Sequence, residues 1–267
     1  MAEIDHSRYA HAGTVAHTDA AVDEGLRAYM LRVYNYMAIG IALTGVVAYV
    51  LFTYTVTGDP SAAARGATGQ ALGLRPGVFL TPLGYSLYVS PLKWVVMLAP
   101  LGFVFLLAGA VHRMSVGAAQ LAFWAFAAVM GVSLSSIFLV FTGQSITQVF
   151  FVTAAAFGGL SLYGYTTKKD LSGWGSFLIM GVIGIIIAGL VNLFLQSSAL
   201  QFAISVIGVL VFAGLTAYDT QRIKDGYYEV MNDSTAMAKG AIMGALSLYL
   251  DFINMFVMLL QLFGNRE

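Results

Sequence analysis

An all-α membrane protein with seven transmembrane helices is what this sequence predicts, and three observations carry the prediction. Of its 267 residues, 59% are hydrophobic and 10% are charged, against roughly a quarter charged in soluble domains. Runs of about twenty apolar residues, enough to cross about 30 Å of hydrocarbon as helices, occur seven times. The charged residues gather near the ends of these runs, with Asp219 and Asp251 as the two acids embedded in helical pattern.

In chain order, residues 1–28 are polar and lack the basic start and apolar core of a signal peptide. They read as a flexible cytoplasmic tail, and the irregularly spaced His6, His11 and His17 as solvated residues of it. Residues 29–267 form the transmembrane domain, with spans near 34–54, 92–111, 116–141, 146–165, 175–195, 200–219 and 240–263. Pro100 is a candidate kink in the second, because proline removes a backbone donor and crowds the preceding turn. The connection over about 55–91, rich in Gly, Ala and Pro, reads as a loosely ordered outer loop whose Phe79, Tyr85 and Tyr88 suit the membrane interface. Gly181, Gly184 and Ala188 read as close-packing positions, and the twelve methionines as core filler.

Basic residues set the orientation. Arg8, Arg27, Arg32, Arg113, Lys168, Lys169, Arg222, Lys224 and Lys239 fall on the amino-terminal side, and Arg65, Arg75, Lys93 and Arg266 fall opposite. The amino terminus is therefore expected in the cytoplasm and the carboxyl terminus outside. With thirteen basic and thirteen acidic residues there is no net field to attract nucleic acid. Cysteine is absent, which removes thiol chemistry, and neither a phosphate-binding loop nor a His-rich centre points to a cofactor.

Asp251 is the residue around which the rest is organised. An isolated acid at the centre of a bilayer costs roughly 2.5 to 3.5 kcal/mol even on lenient scales, so it must face a partner or a water-filled cavity. Helical spacing places Gly240, Gly244, Ser247, Asp251, Asn254 and Gln261 on one small and polar stripe, which should point inward. Asp219 closes the sixth span, and a short connection makes the sixth and seventh spans antiparallel neighbours. Counting 1.5 Å per residue puts Asp219 about 28 Å and Asp251 about 18 Å from the outer ends, so tilt of the sixth span, or a start of the seventh below the membrane surface, must bring them level. Two acids that meet in one dry pocket should share a proton, which makes a pH sensor. When both are ionised they offer hard oxygen ligands to Ca²⁺. Arg113, beside His112 at the inner end of the second span, is the candidate cationic latch, although the positive-inside bias alone also places an arginine there. Asp219 has a competing reading as a solvated helix end, because Arg222 and Lys224 follow closely.

Three stretches resemble the transmembrane Bax inhibitor motif family, found in bacteria and eukaryotes. Ala245-Leu246-Ser247-Leu248-Tyr249-Leu250-Asp251-Phe252-Ile253-Asn254 is similar to the family's last helix. Ala217-Tyr218-Asp219-Thr220-Gln221 is similar to the end of its sixth, and Thr167-Lys168-Lys169-Asp170-Leu171-Ser172 to a cytoplasmic-side junction. The resemblance covers residues 25–264 and implies a bacterial member in the inner membrane, with six helices around a central seventh. It further implies a pH-regulated calcium leak with Asp219 and Asp251 as sensor and gate. In some members an arginine on the second helix closes the pair, which points to Arg113 or its neighbourhood. The long connection after the first span departs from the compact family pattern.

A second class of function is a regulatory protein that binds a membrane protease or another membrane partner, as some relatives do. An intramembrane aspartyl protease also carries acids on adjacent helices, and Tyr218-Asp219 fits one of its motifs. The Gly-x-Gly-Asp of such enzymes is missing, however, because Leu248-Tyr249-Leu250 puts bulk before Asp251 where substrate backbone must approach. No enzyme is expected.

Overall fold

The computed structural model describes residues 6–66 and 69–266, with side chains from residue 22 onward. Its helices are α1 (His6–Thr55), α2 (Pro82–Tyr88), α3 (Leu92–Ala110), α4 (Val116–Leu134), α5 (Ile137–Val140), α6 (Gly143–Thr166), α7 (Ser172–Leu195), α8 (Ser198–Val230) and α9 (Ser234–Phe263). Among the described residues seven stretches are long and apolar enough to span a bilayer, and each contains or overlaps one of the seven expected. The chain is an all-α multi-pass membrane protein.

Local chemistry sets the helix starts. Side-chain oxygens of Ser115, Thr142, Ser197 and Asp233 accept hydrogen bonds from the first free backbone amides of α4, α6, α8 and α9, which in hydrocarbon or at its edge have few other partners. The α7–α8 turn is two residues long. Gln196 takes a left-handed φ of 49°, and the Asn192 side chain accepts from the Ser197 amide at 3.0 Å.

Helix α9 is the most buried span, and it packs against α1, α4, α6 and α8. Helix α3 lies on α4, and α7 lies on α8. Tyr249 of α9 is fully buried between the edges of Phe123 and Phe126. Its hydroxyl is 2.6 Å from that of Thr44, which itself reaches the Gly40 and Ala127 carbonyls. One threonine thus ties α1, α4 and α9 in a region where an unpaired hydroxyl would be costly.

Three expectations change. The third span is not one helix: α4 ends at Leu134, and α5 begins at Ile137. The break falls at Ser135, whose hydroxyl turns back onto the Val132 carbonyl and meets that of Tyr88 at 2.7 Å. The connection after α1 is not loose either. Strands β1 (Val56–Thr57), β2 (Gly73–Arg75) and β3 (Val78–Leu80) form an antiparallel sheet in the order β1-β3-β2. Helix α2 follows, capped by Thr81 with Pro82 in its first turn, and Thr81 is bonded to the Tyr54 and Thr55 carbonyls at the end of α1. Of the glycine steps on α7, a β-carbon at Gly181 would press on Val211, whereas at Gly184 it would meet open space, so packing accounts for only part of that pattern. Pro100 is accommodated inside an unbroken α3. Of the tail expected over residues 1–28, residues 1–5 lie outside the described residues, as do the side chains of His6, His11 and His17. From His6 the chain is helical, and Leu26, Tyr29 and Met30 are buried.

Candidate functional site

Two carboxyls lie inside the helical core. Asp251 is 4% exposed, and its Oδ2 has no hydrogen-bond partner; Asp219 is 7% exposed. They lie at matching levels of the antiparallel α8 and α9: Arg222, one turn from Asp219, reaches Ser247, one turn from Asp251. Neither sits at a helix end. Helix α8 continues past Asp219 to Val230, and α9 begins at Ser234, so the antiparallel pair extends beyond the spans expected from hydropathy.

The backbone is built to bring these helices close. A β-carbon at Gly164 of α6 would collide with the Ala217 carbonyl on α8, and one at Gly244 of α9 would press on Ile223. Glycine allows both approaches at the level of the acids.

Arg222 is the cation at this site. Its guanidinium pairs with Asp219 at 3.2 Å, donates to the Ser247 hydroxyl on α9 at 3.3 Å, and stands 5.7 Å from the Tyr218 ring. Its charge acts on both carboxyls. It is half-exposed, whereas the carboxyl it pairs with is buried. Arg113, expected as the latch, is exposed in the short turn after α3, next to His112, whose carbonyl accepts from Lys239 at 3.2 Å. The guanidinium on Asp219 comes from the acid's own helix, one turn on, and among the described residues Arg113 makes no ion pair with either acid. An i,i+3 acid–arginine spacing is visible in sequence, but sidedness alone had accounted for that arginine.

The polar stripe of α9 divides. Gly244 and Asp251 are buried, whereas Ser247, Asn254 and Gln261 are half-buried. Asn254 donates to the Leu250 carbonyl and lines a cavity of about 570 Å³ between α3, α7 and α9.

Gln221 is a residue that sequence reasoning missed. Its side-chain amide donates to the Lys169 carbonyl at 2.9 Å and accepts from the Leu171 amide at 2.8 Å. Lys224 reaches the Tyr165 carbonyl at 3.0 Å. The stretch around Asp219 therefore holds the α6–α7 junction, so two segments that were singled out separately form one structural unit. Among the described residues no group of three or more His, Cys, Asp or Glu side chains that could hold a metal ion occurs.

Residues 26–267 match the family described as inhibitor of apoptosis-promoting Bax1. An uncharacterized protein of Caulobacter vibrioides is 46% identical over 261 residues, covering 97% of each chain. The inner membrane protein YbhL of Escherichia coli is 44% identical over 244 residues, covering 91% of this chain and 94% of its own. A Rickettsia prowazekii protein is 43% identical over 259 residues, covering 97% of this chain and 98% of its own. Matched from the first span to its last residue, the chain belongs to the Bax inhibitor family of membrane proteins.

Proposed function

We propose that the protein is a pH-regulated cation leak of the bacterial inner membrane, with calcium as its cargo and the Asp219–Asp251 pair as its sensor and gate. The observation that carries this reading is the fully buried, unpartnered Oδ2 of Asp251, on the helix packed against the one that carries the buried Asp219. A purely structural acid would be expected to have all its lone pairs satisfied. With the amino terminus in the cytoplasm, Arg222 stands on the cytoplasmic side of the acids. A proton shared by the pair limits its negative charge to one, which Arg222 balances. Loss of that proton adds a second charge that Arg222 alone does not balance and that a divalent cation can satisfy. Arg222 then competes with the cation for the same oxygens, and its 53% exposure leaves it room to swing out toward water.

The test is calcium flux into dye-loaded liposomes across pH. Asp251→Asn should abolish the pH response, and Asp219→Asn should flatten it. Arg222→Gln should raise flux at the pH where the native chain is nearly closed. Flux that is unchanged in both aspartate variants removes the pair from any transport role.

A further inference from the structure

A second polar cluster lies at the opposite end of α8 and α9 from their connecting turn. Gln201, in the first turn of α8, donates through Nε2 to Oε1 of Gln261 on α9. The Ser205 hydroxyl donates to the same oxygen at 2.8 Å, and Asn192 at the end of α7 donates to Gln201 Oε1 at 3.1 Å. Three helices are joined by side chains alone. Each of the two amide oxygens, the groups best suited to replace part of a cation's hydration shell, is occupied by donors of the protein itself.

This cluster is also a wall between two cavities. One, of about 320 Å³, lies at the end of the bundle beside the α7–α8 turn and Arg266. The other is the cavity of about 570 Å³ between α3, α7 and α9, where Asn254 stands one turn from Asp251. Gln201 and Gln261 line both. Their hydrogen bond lies where the two cavities meet.

We propose that Gln201, Gln261 and Ser205 form a second gate, an amide plug that is closed in this structure and whose freed oxygens become cation ligands when it opens. This rests on the leak proposed for the carboxyl pair, but it concerns the other end of the path. Because the chain has no cysteine, a single introduced thiol reports access without background. Asn254→Cys is reconstituted in liposomes, and a charged, membrane-impermeant methanethiosulfonate is added on the side from which Arg266→Cys reacts.

With Gln201 intact the thiol at 254 should react slowly. Adding Gln201→Ala should make it react roughly fivefold faster, the population change that losing one net hydrogen bond gives, while Arg266→Cys reacts at the same rate in both backgrounds. Gln261→Ala, which removes the shared acceptor, should give the same acceleration and serves if the first variant fails to insert. Equal rates at 254 with and without the amides overturn the gate. Labelling needs no ion flux, so a gate that opens on schedule while the aspartate variants leave flux untouched would sink the carboxyl reading and not this one.

Discussion

Helices α7 and α9 both cross the membrane, and they meet opposite environments. Helix α7 has the most apolar span of the seven and is 11% buried across it, whereas α9 carries Ser247, Asp251, Asn254 and Gln261 and is 67% buried. In water the greasier helix would be the one hidden. In hydrocarbon, lipid tails solvate Ile and Leu as well as a protein interior does, so the apolar helix gains little by moving inward. The polar helix has partners only inside. The difference shows that between these two spans polarity, not hydrophobicity, decides which one lies inside.

That contrast can be broken most directly with paired truncations. Phe252 of α9 is 3% exposed and meets the ring edges of Phe150 and Phe157, while Phe194 of α7 is 88% exposed. Phe252→Ala should destabilise by about 3 to 5 kcal/mol, and Phe194→Ala by less than about 0.5 kcal/mol, measured by denaturant titration in mixed micelles. Equal losses would mean that α7 packs more closely than its exposure indicates.

A smaller effect separates two glycines. Gly164→Ala drives a methyl into the Ala217 carbonyl and should cost about 1 to 3 kcal/mol by forcing α6 off α8. Gly184→Ala on α7 meets open space and should raise stability by about 0.5 to 1 kcal/mol through helix propensity. The same titration checks both, and a loss at Gly184 would point to a neighbour against α7.

The least effect belongs to the start of α7. The hydroxyl and amide of Ser172 hold the Asp170 carboxyl below the usual carboxylate range. A lowered folded value means the contribution is present at neutral pH and is lost as pH falls below that range through the folded value. Hydrogen exchange at the Ser172 amide should therefore quicken at acid pH, beyond its intrinsic pH dependence, only when Asp170 is present. In Asp170→Asn that extra acid-dependent quickening should disappear; if it persists, the carboxyl is not its source.

Much of this was readable along the chain. Seven spans followed from run length, and the need for company at Asp251 followed from the cost of a lone acid in hydrocarbon. Other features were written in the sequence but passed over. Thr81-Pro82 is a helix start that turns seven residues of the long connection into α2, and Asp219 with Arg222 is an i,i+3 pair. The break at Ser135 was hidden, because a serine that bonds back to its own helix looks like any small residue in an apolar run.

The sequence by itself determined how many times the chain crosses and that Asp251 cannot face lipid, since both depend on local length and on the solvation of single residues. Only the tertiary structure decided whom the polar residues meet. Arg222 rather than Arg113 stands at the acids, Gln221 clasps the α6–α7 junction, and Gln201 finds Gln261. Such meetings depend on the tilt and register of one helix against another, and spacing along a single chain does not record either.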